Sequence, residues 1–432
     1  MHPLIERLNQ RKQNRNIGIC AACTAEHTTL TAVMEQATAT NSLALIEATA
    51  NQVNQYGGYT GMRPADFMSY VQKIAKDAGP DSRNLVLGGD HLGPLTWQNE
   101  TEKSAMAKAE VLVRDFVLAG FTKIHLDTSM RLADDSKEKA LPDEVIASRA
   151  AGLCKVAEDA FAEYAKTHKD AFAPVYVIGS EVPVPGGAVE NDEQINVTSP
   201  EQFENTLDAF QVAFQEVGLG KAFERVIGVV VQPGVEFSDL TVTEYDRIKA
   251  AHLCETLEKH TPLVFEGHST DYQTREKLKE MVNDGIAILK VGPGLTYAFR
   301  QGLFALQDIE RELLAESSVV LSDFRETLEN AMLSNPVYWE KYYHGAPSEI
   351  ALKRKYSFSD RCRYYLPDSE VATSIQRLIH NIDNVDIPMS LLEQYMPMEY
   401  REFRCGAIDK SAGSLLKTRI KICFDDYIYA TT

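Results

Sequence analysis

Gly88-Gly89-Asp90-His91 sets an acid and an imidazole side by side at the end of a β-branched run, the strongest chemical signal in the chain. A carboxylate can carry a proton while a neighbouring imidazole holds a cation, and burying such a pair is costly unless something binds there. Other short runs end in Glu47, in His125 with Asp127, in Glu181, in Gln232, in Glu266 with His268, and in Lys290. Imidazoles and carboxylates together suit a divalent metal, zinc above all. Three or four of them with an open position would polarise a carbonyl or an enediolate. Plainer roles compete: Glu47 and Asp127 could cap helices or pair with Lys290, and His125 could be a hydrogen-bonded core histidine.

Phosphate recognition has a separate signal. Gly267-His268-Ser269 and Lys290-Val291-Gly292-Pro293-Gly294 each follow a β-branched run. Glycine and serine there let backbone N–H groups and a helix amino terminus approach an anion, although glycine after a strand is also ordinary turn chemistry.

To act together these groups need a scaffold that brings strand ends to one place. Strand-like runs occur at 16–22, 43–48, 84–89, 122–126, 174–180, 225–231, 262–265 and 287–291. Helical patterns separate them, among them 64–78, 101–119, 143–167, 200–217, 243–259 and 274–283. Strict alternation predicts parallel strands joined by right-handed crossovers. Eight units favour an α/β fold of the closed (β/α)8 TIM barrel type, whose carboxyl rim would carry all the groups named. Two strand-to-helix connections, 51–63 and 181–198, are long enough to be lids or specificity elements. The barrel is expected over 1–300. A helical C-terminal extension is expected over 301–432, with helices at 303–314, 319–332, 367–382 and 411–428, packed on the barrel or on a partner. Its cluster Tyr338, Trp339, Tyr342 and Tyr343 offers apolar area that would be costly to leave in water.

Bulk properties narrow the function. The chain has 432 residues, 44% hydrophobic and 25% charged, ordinary values for a globular protein. A formal charge of −18 would repel nucleic acid and anionic membranes, so neither is an expected partner. The charged amino terminus lacks the apolar core of a secretory signal, and no apolar run reaches bilayer-spanning length, which makes the cytoplasm the expected compartment. Seven scattered cysteines do not form a disulfide framework. Cys20-Ala21-Ala22-Cys23 lacks the second pair a zinc site needs and is expected to pack. No dinucleotide fingerprint and no Walker loop occurs.

Several stretches resemble the tagatose-bisphosphate aldolase Z-subunit family (GatZ/KbaZ), related to class II fructose- and tagatose-bisphosphate aldolases. They include Ile46-Glu47-Ala48-Thr49, Gly57-Gly58-Tyr59-Thr60-Gly61, Gly88-Gly89-Asp90-His91-Leu92-Gly93-Pro94, Glu181-Val182-Pro183-Val184-Pro185-Gly186-Gly187, Val231-Gln232-Pro233-Gly234, and Gly267-His268-Ser269-Thr270-Asp271-Tyr272. Tyr356-Ser357-Phe358-Ser359-Asp360-Arg361-Cys362-Arg363 fits as well, so the resemblance runs nearly the full length.

The resemblance implies a subunit that supports the activity and stability of a zinc-dependent catalytic aldolase in galactitol or N-acetylgalactosamine breakdown. Asp90 stands where catalytic class II aldolases keep their proton-transfer aspartate, His91 where they keep a zinc histidine, and Glu181 matches a glutamate after the fifth strand. One zinc histidine is absent, its neighbourhood reading Gln232-Pro233-Gly234. Another is replaced by Glu266, with His268 two residues on. The implied metal set is therefore His91, Glu181, Glu266 and His268, with Asp90 and Glu181 catalytic. Glu47, His125, Asp127, Gln232 and Lys290 are expected around a ketose phosphate, and Gly267, Ser269 and Gly292 on its phosphate. The alternative expectation is a metal-dependent C4 epimerase interconverting fructose 6-phosphate and tagatose 6-phosphate by retro-aldol and aldol steps. An oligomer is expected in either case.

Overall fold

The computed structural model describes residues 1–79, 83–136, 141–179 and 195–432. Eight parallel strands close into a barrel: β1 (Ile19–Cys23), β2 (Ala44–Thr49), β3 (Leu85–Leu92), β4 (Lys123–Leu126), β5 (Val175–Gly179), β6 (Val226–Val231), β7 (Val264–Gly267) and β8 (Ile286–Val291). Neighbours in sequence are neighbours in space, and β8 pairs with β1 to complete the ring. The fold is therefore a (β/α)8 TIM barrel with a helical C-terminal region. Every expected strand has a counterpart among the eight.

The barrel interior is divided by polarity. Its lower part is apolar, filled by Ile19, Leu45, Val86, Val177, Val264 and Ile288. The short helix Pro3–Asn9 adds Leu4 and Leu8 to that layer, so the charged amino terminus forms a plug rather than a free tail. Above it lie Glu47, Lys123, Glu266 and Lys290, all buried. A polar layer inside a barrel is costly unless every charge is matched.

Three helix starts depart from the sequence reading by four residues or more; the one expected at 319 lies at Phe324. The helix expected over 243–259 begins at Arg247, because Asp246 caps it by accepting from the Ile248 and Lys249 N–H groups. The preceding Val242–Thr243 pairs with Glu236–Phe237 in a small antiparallel ribbon. The helix expected from 303 starts at Pro293, directly after β8. Its first turns carry Thr296 and Arg300, whose polarity hides the helical period; both are buried against Asp360 of the C-terminal region. Residue 300, the expected division between barrel and extension, lies inside this helix.

The C-terminal region returns to the barrel. Its last helix, Ala412–Thr431, packs against His27–Ala39, Arg275–Asn283 and Pro293–Leu314. It ends beside β1, where the Thr431 carbonyl accepts from the Gly18 N–H at 3.0 Å and from Arg7 Nη2 at 2.7 Å. The aromatic cluster docks as well. Tyr338 stacks on Tyr364 at 5.0 Å, and Tyr364 meets Tyr59 of the 51–63 connection at 4.7 Å. All seven cysteines are free thiols.

Candidate metal and substrate site

Adjacent residues of a regular strand face opposite ways, so Asp90 and His91 could not both enter the barrel mouth from a straight β3. The strand solves this with a bulge. Gly89 pairs with Ile124 and Leu92 with Leu126, so three steps along β3 match two along β4. His91 takes a left-handed backbone, φ 49°, at a cost of about 1–2 kcal/mol for a non-glycine residue. Such strain persists where the surroundings over-determine it. Here β3 must also run close to its neighbours. A Cβ on Gly93 would lie 1.7 Å from the Asp127 carbonyl oxygen, and one on Gly88 would lie 2.6 Å from Glu47 Oε1.

Three imidazoles meet Asp90 at this point. His91, His125, His268 and Asp90 each offer one donor atom, and these atoms all lie within 4.8 Å of one another. Each ring is oriented by a second partner. His91 Nδ1 lies 2.9 Å from Asp127 Oδ2, and the other Asp127 oxygen accepts from the Ser129 hydroxyl at 2.8 Å. His268 Nε2 lies 3.0 Å from Glu266 Oε1. His125 Nε2 lies 3.0 Å from the Gly179 carbonyl. A carbonyl only accepts, so His125 donates to it from Nε2 and presents Nδ1 to the cluster. The His91 N–H donates to that nitrogen at 3.2 Å, and Asp90 Oδ1 stands 3.1 Å from it. Either a proton on Nδ1 or a cation beside it makes that contact with the carboxylate favourable. Carboxylate-oriented imidazoles are the usual outer support of a metal site.

Charge balance points the same way. Lys123 Nζ lies 2.6 Å from Glu47 Oε1 and 2.6 Å from Glu266 Oε2, all three fully buried. Lys290 Nζ contacts Glu47 Oε2 and lies 2.9 Å from Asp90 Oδ1. With the imidazoles neutral, Glu47, Asp90, Asp127 and Glu266 face only Lys123 and Lys290 among the described residues, an excess that a divalent cation would match. Burial lowers the His268 pKa despite its bond to Glu266, which keeps the ring in the neutral, metal-binding form. Burial pushes the carboxyl of Asp90 up, whereas the neighbouring imidazoles, once protonated, outweigh it and pull its pKa down. For Glu266 the same opposition is won by Lys123 and His268. The residues present therefore fit a divalent metal. Replacing Asp127 by Asn should weaken metal affinity roughly 10- to 100-fold by loosening His91, read by competition with a chelating dye.

The expected site residues divide into three groups. His91 and His268 stand together as anticipated, and Asp90 adjoins them. His125, expected around the substrate, is instead the third imidazole of the cluster; its signal was the alternation Lys123, His125, Asp127 on one face of β4. Glu266, expected as a ligand, orients His268 and balances Lys123. Glu47 and Lys290, expected around the substrate, are buried in the charge network. Glu181 lies outside the described residues. The sequence reading overlooked Lys123, a lysine in the middle of a β-branched run.

The phosphate cradle is also altered. The Gly292 and Gly294 N–H groups donate to Asp271 Oδ1, at 3.0 and 2.7 Å, so an internal carboxylate holds the position expected for phosphate at Gly292. Burial raises the Asp271 pKa to about 6 against the pull of those two donors. A carboxyl raised on folding weakens the fold once ionised. Its contribution should therefore fall as pH rises from about 4 to about 6, and thermal melting of Asp271→Asn should lack that component. Gly267 and Ser269 follow β7 as expected. Ser269, at φ 50°, buries a hydroxyl with no hydrogen-bond partner among the described residues. Gln232 accepts from the Gly234 and Val235 N–H groups, while its Nε2 is buried without a partner among the described residues.

Comparison with known proteins gives a family and one near-complete structural match. A model of the family described as D-tagatose-1,6-bisphosphate aldolase subunit GatZ/KbaZ-like matches residues 4–432. A crystal structure from Sinorhizobium meliloti 1021, described as a probable tagatose 6 phosphate kinase, is 42% identical. It has a TM-score of 0.87 and the match covers 96% of this chain and 100% of that one. A fructose-bisphosphate aldolase structure from Campylobacter jejuni is 14% identical, with a TM-score of 0.43 over 94% of this chain and 95% of that one. On the near-complete family match and the high identity of the first relative, the chain belongs to the GatZ/KbaZ-like family of D-tagatose-1,6-bisphosphate aldolase subunits.

Proposed function

We propose that the chain is a metal-dependent enzyme acting on a ketose phosphate through cleavage and re-formation of the C3–C4 bond. The observation that carries this is the meeting of His91, His125, His268 and Asp90 beside a buried charge network short of two positive charges. His91, His125 and His268 would hold the cation, zinc being the best match to three imidazoles. Bound there, it supplies Lewis acidity to the substrate's C2 ketone oxygen.

Asp90 is the group on this chain with the position for proton transfer. Its carboxylate accepts the C4 hydroxyl proton as the C3–C4 bond breaks, the bonding pair passing to C3 and the C4 oxygen becoming an aldehyde. Lys290, 2.9 Å from Asp90, steadies the carboxylate between its two states. If the aldehyde leaves, the reaction is lysis. If it turns its other face to C3 and bonds again, Asp90 returns the proton and C4 is inverted, which takes fructose 6-phosphate to tagatose 6-phosphate. Ser269 is proposed to contact phosphate, and Glu181 to share in proton transfer.

A second reading rests on the family's description as an aldolase subunit. In it the chain stabilises a catalytic class II aldolase partner within galactitol or N-acetylgalactosamine breakdown, using its outer helices and C-terminal region. An oligomer acting in the cytoplasm suits both readings; no helix of the described residues is long and apolar enough to cross a membrane. The kinase activity in the Sinorhizobium protein's description would need a nucleotide-phosphate cradle, and the glycine-flanked helix terminus after β8 is already taken by Asp271.

Incubating the purified, metal-loaded chain alone with fructose 6-phosphate or tagatose 1,6-bisphosphate distinguishes the two. Tagatose 6-phosphate or triose products support the enzyme. Inactivity alone, with restored activity and a raised melting temperature for an added class II aldolase, would leave only the subunit reading.

A further inference from the structure

Buried arginines in this chain are matched by carboxylates, with an exception at one place. Arg149 meets Asp135 and Glu102, Arg300 meets Asp360, and Arg354 meets Glu329. Arg361 and Arg363 have no carboxylate ion pair among the described residues, in a chain of formal charge −18. Arg361 is 8% exposed; it donates to the Tyr338 carbonyl, its guanidinium lies 3.1 Å from the Tyr342 ring centroid, and its Nε has no partner among the described residues. Arg363 donates to the Ser359 and Asp360 carbonyls and to the Tyr364 hydroxyl, and remains partly exposed. These bonds fix the guanidinium without neutralising it. Burial pushes the Tyr364 hydroxyl up, yet Arg363, Arg361 and Lys341 outweigh it and leave the group below its ordinary value.

The location is the active rim. Asp360, next to these arginines, is locked onto the helix that follows β8 by Arg300 and Thr296. Tyr272, in the connection after β7, donates to the Phe358 carbonyl at 2.6 Å. Tyr364 packs on Tyr59 from the connection after β2. Arg363 is also near enough to Asp271 for its charge to lower that carboxyl's pKa. A substrate anion that finds the Gly292 and Gly294 N–H groups occupied by Asp271 thus has within the same mouth a fixed guanidinium that makes no carboxylate ion pair among the described residues.

We infer that Arg363, carried onto the rim by the C-terminal region and supported by Arg361, binds the phosphate ester of the substrate. This rests on the ketose-phosphate reading above and deepens it. In a 6-phosphate the ester belongs to the aldehyde fragment, so a fixed guanidinium would retain that fragment between bond cleavage and re-addition. Arginine suits the task because its planar fork matches phosphate oxygens and stays charged.

The test is calorimetric titration of inorganic phosphate, and of fructose 6-phosphate against fructose, into wild-type, Arg363→Gln and Arg363→Lys chains at equal metal content. The expected result is a phosphate affinity lowered about 10- to 100-fold in Arg363→Gln and less in Arg363→Lys, with fructose binding unchanged. Equal phosphate affinity in wild type and Arg363→Gln overturns the inference. Should Arg363→Gln fail to fold, phenylglyoxal labelling of the wild-type chain decides: phosphate should protect Arg363 in the peptide map, and unprotected labelling overturns the inference. Loss of phosphate binding in Arg363→Gln, in a chain that turns over no ketose phosphate, would leave this anion site standing and remove the enzyme reading.

Discussion

Asp90→Asn is expected to lower turnover of fructose 6-phosphate about 10³-fold. General acid and base groups contribute roughly 10²- to 10⁴-fold, and Asp90 is the carboxylate within the imidazole cluster. The amide keeps the shape and can still accept from Lys290, so the fold should be retained. Because three imidazoles remain, metal content should fall far less than in His91→Ala. Steady-state kinetics with metal analysis of the same preparations checks both parts. Turnover within a few-fold of wild type would remove Asp90 from the proposed chemistry.

Lys123→Met is expected to be the most destabilising change in the barrel interior, by about 3–5 kcal/mol. Lys123 is fully buried and is the shared partner of Glu47 and Glu266, so its removal leaves two carboxylates facing each other with Lys290 as their remaining cation. The loss should be partly recovered in Lys123→Met/Glu266→Gln, since removing one carboxylate relieves the uncompensated charge. Thermal or denaturant unfolding of the single and double variants measures it. A double variant no more stable than the single one would mean that packing, rather than charge, holds this layer together.

The barrel was legible because each strand is a short β-branched run separated from the next by a helical period, a local pattern that needs no knowledge of what packs against it. Asp90, His91 and His268 were legible for the same reason, as polar residues at the ends of such runs. The place of His125 in the cluster is not legible in sequence, because its orientation depends on the Gly179 carbonyl and on Asp90, both remote along the chain. Lys123 escaped notice because a lysine within an apolar run gains meaning only when two carboxylates from other strands approach it. The start of the helix at Pro293 was obscured by Thr296 and Arg300, whose burial depends on Asp360, 60 or more residues away. Asp271 shows the limit of motif reading most sharply. The glycines after β8 do form an anion cradle, and the anion is supplied by the chain itself.

The proposed chemistry depends on a cation held between three imidazoles and Asp90. Anomalous diffraction at the zinc edge from crystals of the metal-loaded chain tests this directly. One strong peak is expected within coordinating distance of His91, His125 and His268, on the side facing Asp90. A peak elsewhere, or no peak among these residues with the chain fully folded, would contradict it.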